Sequence, residues 1–257
     1  MKIVVAMRQL ADLVEELETN ADGTDIDRDF VKFVSNEWDE AALEEALCQK
    51  DDGGAEVTVV ALDEPDVDQT LYTALAKGAD RAVKLTGHDP EAWIRTGNRA
   101  AILAAWLEAN PFDLVLTGVQ AADDLDGQLA GVLGERLGVR HAAVVVGLQP
   151  TADSVQVEQE LGGGTLAVST LQLPAVVGVQ AARQAPRYAS ITRIRQAQQS
   201  QPLDEVEVSI DAEPVAVTVR RMFPPERRGG AEMLTGSASE VAEKIAELIK
   251  TKGLARG

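Results

Sequence analysis

The alternation of short apolar runs with helix-forming segments is the feature that most limits the fold of this 257-residue chain. Strands joined through helices pair in parallel, because each crossover returns the chain in the same direction. The sequence therefore predicts an α/β fold built on a doubly wound, mostly parallel sheet. Strand-like runs occur at 2–6, 56–61, 82–85 and 113–117, and the longest predicted helix between them occupies 91–110.

The second half of the chain has a different pattern, in which strand-like runs follow one another without intervening helices. Three consecutive glycines at 162–164 provide a turn between two of these runs. We therefore expect a β-rich flank that completes the sheet. Its predicted strands are 142–148, 155–160, 165–171 and 175–180.

The C-terminal residues are expected to form an arm rather than part of the sheet domain. A strand-like tail at 205–221 comes first, and Ser237-x-x-Glu240 then provides a capping box for an amphipathic helix. Such a helix packs on its own domain or on another chain, and the capping box does not decide between them. We predict an α/β domain at 1–205 and a C-terminal helical arm at 206–257.

The stretch at 113–139 combines a buried strand, a polar loop and a helix. Gly118 ends the strand, and Gly138 provides a stop for the helix. This arrangement forms ligand crevices at the carboxyl edge of open α/β sheets, where N–H groups at a helix start favour phosphate. The alternative is a solvated loop in which an aspartate caps the helix, and this stretch alone leaves both open.

Composition argues against several classes of function. The 42 acidic and 24 basic residues give a formal net charge of −18, which disfavours nonspecific nucleic-acid binding. No apolar run reaches about 18 residues, so we expect no membrane span. The single cysteine, Cys48, forms no internal disulfide, which favours the cytoplasm. His88 and His141 have no partner at metal-ligand spacing, and no catalytic motif occurs, so a binding or carrier protein is favoured over a hydrolase.

Six short motifs occur in order along most of the chain. They are Ala6 in the first strand, Asn36-Glu37-Trp38-Asp39-Glu40 before Leu43-Glu44-Glu45-Ala46, and then the stretches at 73–81, 118–124, 173–177 and 186–188. In order and spacing they resemble the small, or beta, subunit of electron transfer flavoprotein. The resemblance implies that family's adenine-nucleotide-binding α/β fold.

The resemblance implies an electron carrier subunit rather than an enzyme with its own substrate. In the heterodimer a larger alpha subunit would hold most of an FAD, and the beta subunit would bury AMP. Electrons would pass from acyl-CoA or related dehydrogenases to a membrane quinone oxidoreductase. Two alternatives stay open: a bifurcating electron transfer flavoprotein with a second FAD in the AMP site, and a flavin-free nucleotide-binding regulatory module of the universal-stress type.

Nucleotide contacts are also implied by the resemblance, and several lie in loops that follow predicted strands. Gly127 would offer a bare N–H to phosphate, whereas Leu129 lacks a hydroxyl that could hold one. Trp38 would lie against the flavin or, alternatively, would join the helix start to the core. The cofactor-binding residues implied are Ala6, Asn36, Glu37, Trp38, Asp39, Leu62, Gly118, Val119, Gln120, Ala121, Asp123, Asp124, Asp126, Gly127, Gln128 and Leu129.

A segment rich in arginine, at 184–200, is the implied recognition site for partner dehydrogenases. Ile191 occupies the position at which the family presents a protruding leucine. Arg193 and Arg195 would speed encounter with an acidic partner and set its orientation. The alternative is that Ile191 packs beneath the following helical turn and belongs to the core.

Overall fold

The computed structural model describes residues 1–14, 17–124, 126–210, 218–224 and 233–254. Its strands are β1 (Lys2–Met7), β2 (Gln9–Ala11), β3 (Phe33–Ser35), β4 (Glu56–Leu62), β5 (Arg81–Thr86), β6 (Leu114–Gly118), β7 (Arg140–Pro150), β8 (Ser154–Glu160), β9 (Leu166–Gln172), β10 (Ala175–Val179) and β11 (Asp204–Glu207). Its α-helices are α1 (Glu37–Gly53), α2 (Val67–Lys77), α3 (Thr96–Ala109), α4 (Leu129–Leu137), α5 (Ile191–Ser200) and α6 (Ala238–Thr251), and a short 3₁₀ helix spans Arg28–Phe30.

Nine of the strands in the described residues form one sheet, in the order β11-β5-β4-β1-β6-β10-β7-β8-β9. The first seven of these strands are parallel to one another, and β8 and β9 extend the sheet as antiparallel neighbours. The predicted doubly wound, mostly parallel sheet and its β-rich flank are therefore confirmed. β2 and β3 form a separate antiparallel pair.

The central strands β1, β4, β6 and β10 are buried on both faces, which explains why they are apolar at successive positions. On one face, Val5 packs in a cluster with Leu43 of α1 and Leu71 of α2. On the other face, Val4 belongs to a cluster with Leu103 of α3 and Leu133 of α4. The chain leaves β1 toward β4 and β5 and returns through α3 to β6 on the other side of β1, so the order of strands reverses between β1 and β6. Such a reversal opens a crevice at the strands' carboxyl ends.

Helix α3 begins later than predicted, so the expected helix at 91–110 is wrong in its first turn. A turn occupies the residues before it. The Asp89 carboxylate accepts a hydrogen bond from the N–H of Glu91 at 3.0 Å, and the Asp89 carbonyl accepts one from Ala92 at 3.2 Å. The N–H groups of Glu91 and Ala92 are therefore used in a turn, which short acidic side chains such as that of Asp89 favour. The helix starts only at Thr96.

The strand predicted at 205–221 is also too long. β11 covers only four residues, and it pairs in parallel with β5 at the edge of the sheet. The N–H of Val208 still donates to the carbonyl of Thr86 at 2.8 Å, but residues 208–210 and 218–221 are not in strand conformation. Residues 211–217 of the predicted strand lie outside the described residues.

The chain divides into two compact units. The larger comprises Met1–Leu17 and Asp27–Thr218 and contains the whole sheet. The smaller comprises Glu18–Ile26 and Val219–Gly257. No helix in the described ranges is long and apolar enough to cross a membrane.

Within the smaller unit, α6 begins with the predicted capping box. The Ser237 hydroxyl accepts a hydrogen bond from the N–H of Glu240 at 3.4 Å, and the Glu240 carboxylate accepts one from the N–H of Ser237 at 2.7 Å. None of the residues of α6 is buried. Its apolar side remains exposed at Ile245, Leu248 and Ile249.

Candidate functional site

One carboxylate joins the carboxyl ends of β1 and β6, at the point where the strand order reverses. Asp39, in the first turn of α1, accepts a hydrogen bond from the N–H of Arg8 at 2.9 Å and another from the N–H of Gly118 at 2.9 Å. The side chain is only 3% exposed. Asp39 therefore holds the start of α1 across the crevice and satisfies two buried backbone donors.

Glycine at position 118 allows this close approach. A Cβ atom there would lie 2.8 Å from the Cβ of Trp38 and 2.9 Å from the backbone nitrogen of Asp39. It would also collide with the carboxylate that Gly118 itself binds. The glycine that ends the predicted strand thus sets how closely α1 approaches β6.

The pKa of Asp39 is raised to about 6 by burial, which disfavours the charged form. The charge of Arg8 and the N–H groups of Gly118 and Arg8 act in the opposite direction. The site therefore holds a carboxyl group that titrates close to neutral pH.

Asn36 stands at the N-cap position of α1, yet its side chain makes no capping hydrogen bond. Its amide nitrogen instead donates to the carbonyl of Gln120 at 2.9 Å, which ties the helix start to the loop after β6. Its amide oxygen is buried and has no hydrogen-bond partner among the described residues. A buried acceptor of this kind is available to a ligand donor.

Arg8 closes the other side of the loop after β6. Arg8 is 4% exposed, and its guanidinium pairs with Asp124 at 3.0 Å and with Asp123 at 3.4 Å. Asp124 also accepts a hydrogen bond from the hydroxyl of Thr96 at 2.8 Å. Although burial opposes its charge, hydrogen bonding with Asp126 and the charge of Arg8 lower the pKa of Asp124. Hydrogen bonding with Asp124 raises the pKa of Asp126.

A second buried cation lies at the start of α3. Arg99 is 3% exposed and forms a two-point ion pair with Glu64, which follows β4. Burial opposes the charge of Arg99, but Glu64 raises its pKa and keeps it ionised. The Nε atom of Arg99 has no hydrogen-bond partner within the described ranges. The crevice therefore contains two arginines that carry its positive charge.

A small cavity of about 10 Å³ lies between these groups. That is about the space of a single water molecule, so this chain alone does not enclose a nucleotide in it. The lining residues are Ala6, Met7, Arg8, Asp39, Leu62, Arg99, Leu103 and Leu129.

The loop before α4 passes through a left-handed glycine and leads into a helix start that has no side-chain cap at its N-cap residue. Gly127 has a φ of +61°, in the left-handed region, and a Cβ there would lie 3.2 Å from the carbonyl oxygen of Val119. Gln128 occupies the N-cap position without a side-chain capping hydrogen bond, and its own N–H donates to the Asp126 carboxylate at 3.3 Å.

The residues implied as cofactor contacts lie at the ends of β1, β4 and β6, at the start of α1, or between β6 and α4. Their direct contact with a cofactor stays a prediction. Sequence reasoning did not assign Arg8, Glu64, Thr96 or Arg99. Arg8 and Glu64 follow strands, and Thr96 and Arg99 lie in the first turn of α3, which are the positions that could have indicated a site. The predicted helix at 91–110 placed Thr96 and Arg99 in the middle of an element instead of at its start.

The implied partner-binding residues lie on α5, which packs against α2. Ile191 is 63% exposed, so it is not part of this chain's core, and Arg193 and Arg195 are exposed beside it. Ala197 is the residue of α5 that is buried. The docking role of Ile191 stays a prediction.

Comparison with known proteins matches residues 25–211 to the electron transfer flavoprotein domain. The chain is 38% identical to the electron transfer flavoprotein subunit beta of Methylophilus methylotrophus, over 97% of this chain and 98% of that protein. It is 29% identical to the subunit beta of Bacillus subtilis, over 98% of both chains. It is 33% identical to the mitochondrial subunit beta of Oryza sativa subsp. japonica, over 95% of this chain and 97% of that one.

The family match spans helix α5, the β-rich flank and most of the crevice, and the alignment with the Methylophilus methylotrophus protein covers 97% of this chain. The six motifs therefore reflect relatedness along nearly the whole chain rather than separate short coincidences. The chain belongs to the electron transfer flavoprotein family, as a beta subunit.

Proposed function

We propose that this protein forms a heterodimer with an electron transfer flavoprotein alpha subunit in the cytoplasm. The heterodimer takes electrons from acyl-CoA-type or related dehydrogenases and passes them to a quinone oxidoreductase. FAD, held mostly by the alpha subunit, supplies the electron-carrying chemistry when bound. AMP occupies the crevice of this chain in a structural role. The observation that carries the proposal is the reversal of strand order between β1 and β6, with an uncapped helix start beside it.

The groups at the crevice are suited to an adenine nucleotide. The amide oxygen of Asn36, which has no partner in the described part of the chain, is an acceptor of the kind that the amino group of adenine requires. Gly127 and the start of α4 provide backbone N–H groups for a phosphate. Arg8 offsets the charge of Asp123 and Asp124, which would otherwise oppose an anion there.

The visible spectrum of the protein co-purified with its alpha subunit tests this proposal. We expect flavin absorption bands that bleach when an acyl-CoA dehydrogenase and its substrate are added. A colourless preparation that contains a nucleotide but no flavin would instead indicate the regulatory module of the universal-stress type.

We predict that Trp38 shields one edge of the flavin ring from water and shifts its potential through packing. The indole is half-buried at the start of α1, so part of its surface is available to a partner. Trp38→Ala should change both the flavin spectrum and the midpoint potential measured in the heterodimer. An unchanged spectrum in a folded, flavin-loaded variant would show that Trp38 serves only to join the helix start to the core.

We predict that Ile191 enters a pocket of the partner dehydrogenase. An apolar side chain buried in this way contributes on the order of 2 kcal/mol, so Ile191→Ala should slow transfer by roughly 10-fold or more. The exposed position of Ile191 predicts an unchanged melting temperature. Gln196→Ala, at another exposed site on α5, is the matched control. Undiminished transfer in Ile191→Ala would leave Arg193 and Arg195 as the remaining candidates.

We also propose that the arm at 206–257 contacts the alpha subunit through α6. The exposed apolar side of α6 would be covered by such a contact. Ile245→Asp should then weaken heterodimer association in analytical ultracentrifugation. Glu243→Gln, on the exposed surface of the same helix, should leave association unchanged.

A further inference from the structure

Two acidic residues of α1 are buried although they lie outside the crevice. Glu44 is 1% exposed and Glu45 is 3% exposed. Isolated carboxylates are rarely buried, because the loss of hydration must be offset by charged or hydrogen-bonding partners. For each of these carboxylates, the arginine partner comes from the segment that follows β10 and precedes α5.

Glu44 binds this segment through one arginine and one amide. Its carboxylate accepts the N–H of Arg187 at 2.8 Å, the Arg187 Nε at 3.1 Å and Nη2 at 2.9 Å, and the side chain of Gln184 at 2.7 Å. Burial opposes the charge of Glu44, but the hydrogen bonds from Arg187 and Gln184 lower its pKa overall. Forked pairs of this kind fix geometry as well as distance.

Glu45 holds the same segment four residues earlier. It accepts the N–H of Arg183 at 3.2 Å and lies 3.4 Å from the guanidinium of Arg183. The side chain of Gln49 donates to Glu45 at 2.8 Å and thereby orients it from within α1. The backbone is thus attached to α1 at two points, 183 and 187.

The attached backbone leads directly to exposed apolar side chains. Tyr188, the residue after Arg187, is 82% exposed, and Ile191 at the start of α5 is 63% exposed. Ala189 between them is buried, so the chain enters α5 from a fixed position. Exposed aromatic and aliphatic groups beside Arg193 and Arg195, in a chain of net charge −18, suit a partner with an apolar pocket and acidic surroundings.

We propose that Glu44 is a positioning residue for partner docking: through Arg187 it holds Tyr188 and Ile191 in the orientation that the partner recognises. This inference rests on the proposed function, since the partner is the electron-donating dehydrogenase. Because Glu44 is buried, it would act through Arg187 rather than by its own contact with the partner. Its effect arises because a segment ordered before docking loses less conformational entropy when it binds.

Glu44→Gln in the flavin-loaded heterodimer tests the inference. The amide keeps the shape of the side chain but cannot accept every hydrogen bond that Arg187 and Gln184 donate. Asp51→Asn is the matched control, because Asp51 binds the same arginine at 2.9 Å but is itself exposed. Arg187→Lys keeps the positive charge but cannot make the two-point hydrogen bonds to Glu44. This variant tests the inference if Glu44→Gln fails to fold.

Two readouts are needed, both compared with wild type. Hydrogen–deuterium exchange at residues 183–191 reports order in the segment without any partner. Steady-state reduction by an acyl-CoA dehydrogenase gives the KM for the heterodimer and kcat separately. We expect faster exchange and a KM raised about 5- to 10-fold in Glu44→Gln, with kcat and flavin content within about twofold. We expect a smaller rise in Arg187→Lys and none in Asp51→Asn.

Unchanged exchange and an unchanged KM in a folded Glu44→Gln heterodimer would overturn the inference. So would equal losses in KM, kcat and melting temperature in Glu44→Gln and Arg187→Lys, since those indicate a general structural role. A wild-type heterodimer that no acyl-CoA dehydrogenase reduces would contradict the proposed donor class instead. In that case hydrogen–deuterium exchange at residues 183–191 decides the question. Faster exchange in Glu44→Gln than in wild type supports the inference, and unchanged exchange overturns it.

Discussion

Gly118→Ala is expected to destabilise the protein by about 3 kcal/mol or more, because the added Cβ has no space at the start of α1. Two of the atoms that it meets, the nitrogen of Asp39 and the Cβ of Trp38, belong to or adjoin the backbone and lie within 2.9 Å. The steric clash is relieved only if α1 moves away from β6, and that movement lengthens the hydrogen bond between Gly118 and Asp39. Chemical denaturation of the heterodimer measures the effect.

Gly53→Ala is the matched control for that substitution. Gly53 is the last residue of α1, and a Cβ there meets nothing within 4 Å. Alanine has a higher helix propensity than glycine, so this variant should be neutral or more stable by up to about 1 kcal/mol. Equal stability of the two variants would show that the close approach at Gly118 is not required.

Asp39→Ala is expected to lower the free energy of unfolding by about 4 kcal/mol at pH 5, because two buried N–H groups lose their acceptor. The donors are those of Arg8 and Gly118, at the ends of the two central strands. Asp39→Asn keeps one acceptor and the shape of the side chain, so its cost should be about half as large. Denaturant unfolding of both variants at one pH provides the comparison.

The loss in Asp39→Ala should depend on pH in a defined direction. The pKa of Asp39 is raised to about 6 in the folded protein, from an ordinary value of 3.8, because burial disfavours its charge. Its stabilising contribution is therefore full at low pH and is lost as the pH rises through 6. The difference in free energy of unfolding between wild type and Asp39→Ala should decrease by on the order of 1 kcal/mol between pH 5 and pH 7. A gap that widens over this range would show that Arg8 and the two N–H groups outweigh burial.

The parts of the fold that were predictable from sequence depend on local signals. The apolar run at 56–61 identified β4, and apolar residues at helical spacing ending at Gly138 identified α4. Glycine at 118 and polar residues after it identified the loop that the crevice uses. These features are encoded within a few positions of the chain, so they need no knowledge of the tertiary contacts.

The contacts that build the site could not be predicted in this way, because they join distant positions. Asp39 meets Gly118 79 positions away, and Glu44 meets Arg187 143 positions away. An acidic residue in a helix is normally exposed to solvent, so nothing local reveals that Glu44 is buried. The order of strands around β1 likewise emerges only when the helices are distributed over both faces of the sheet.

Counting the nucleotides in the purified heterodimer tests the central claim most directly. Denaturation should release one FAD and one AMP per heterodimer, which mass spectrometry identifies and counts. The AMP is expected because the crevice between β1 and β6 is proposed to hold the second nucleotide. Two FAD molecules would indicate the bifurcating alternative. One FAD without any other nucleotide would contradict the assignment of this crevice as an adenine-nucleotide site.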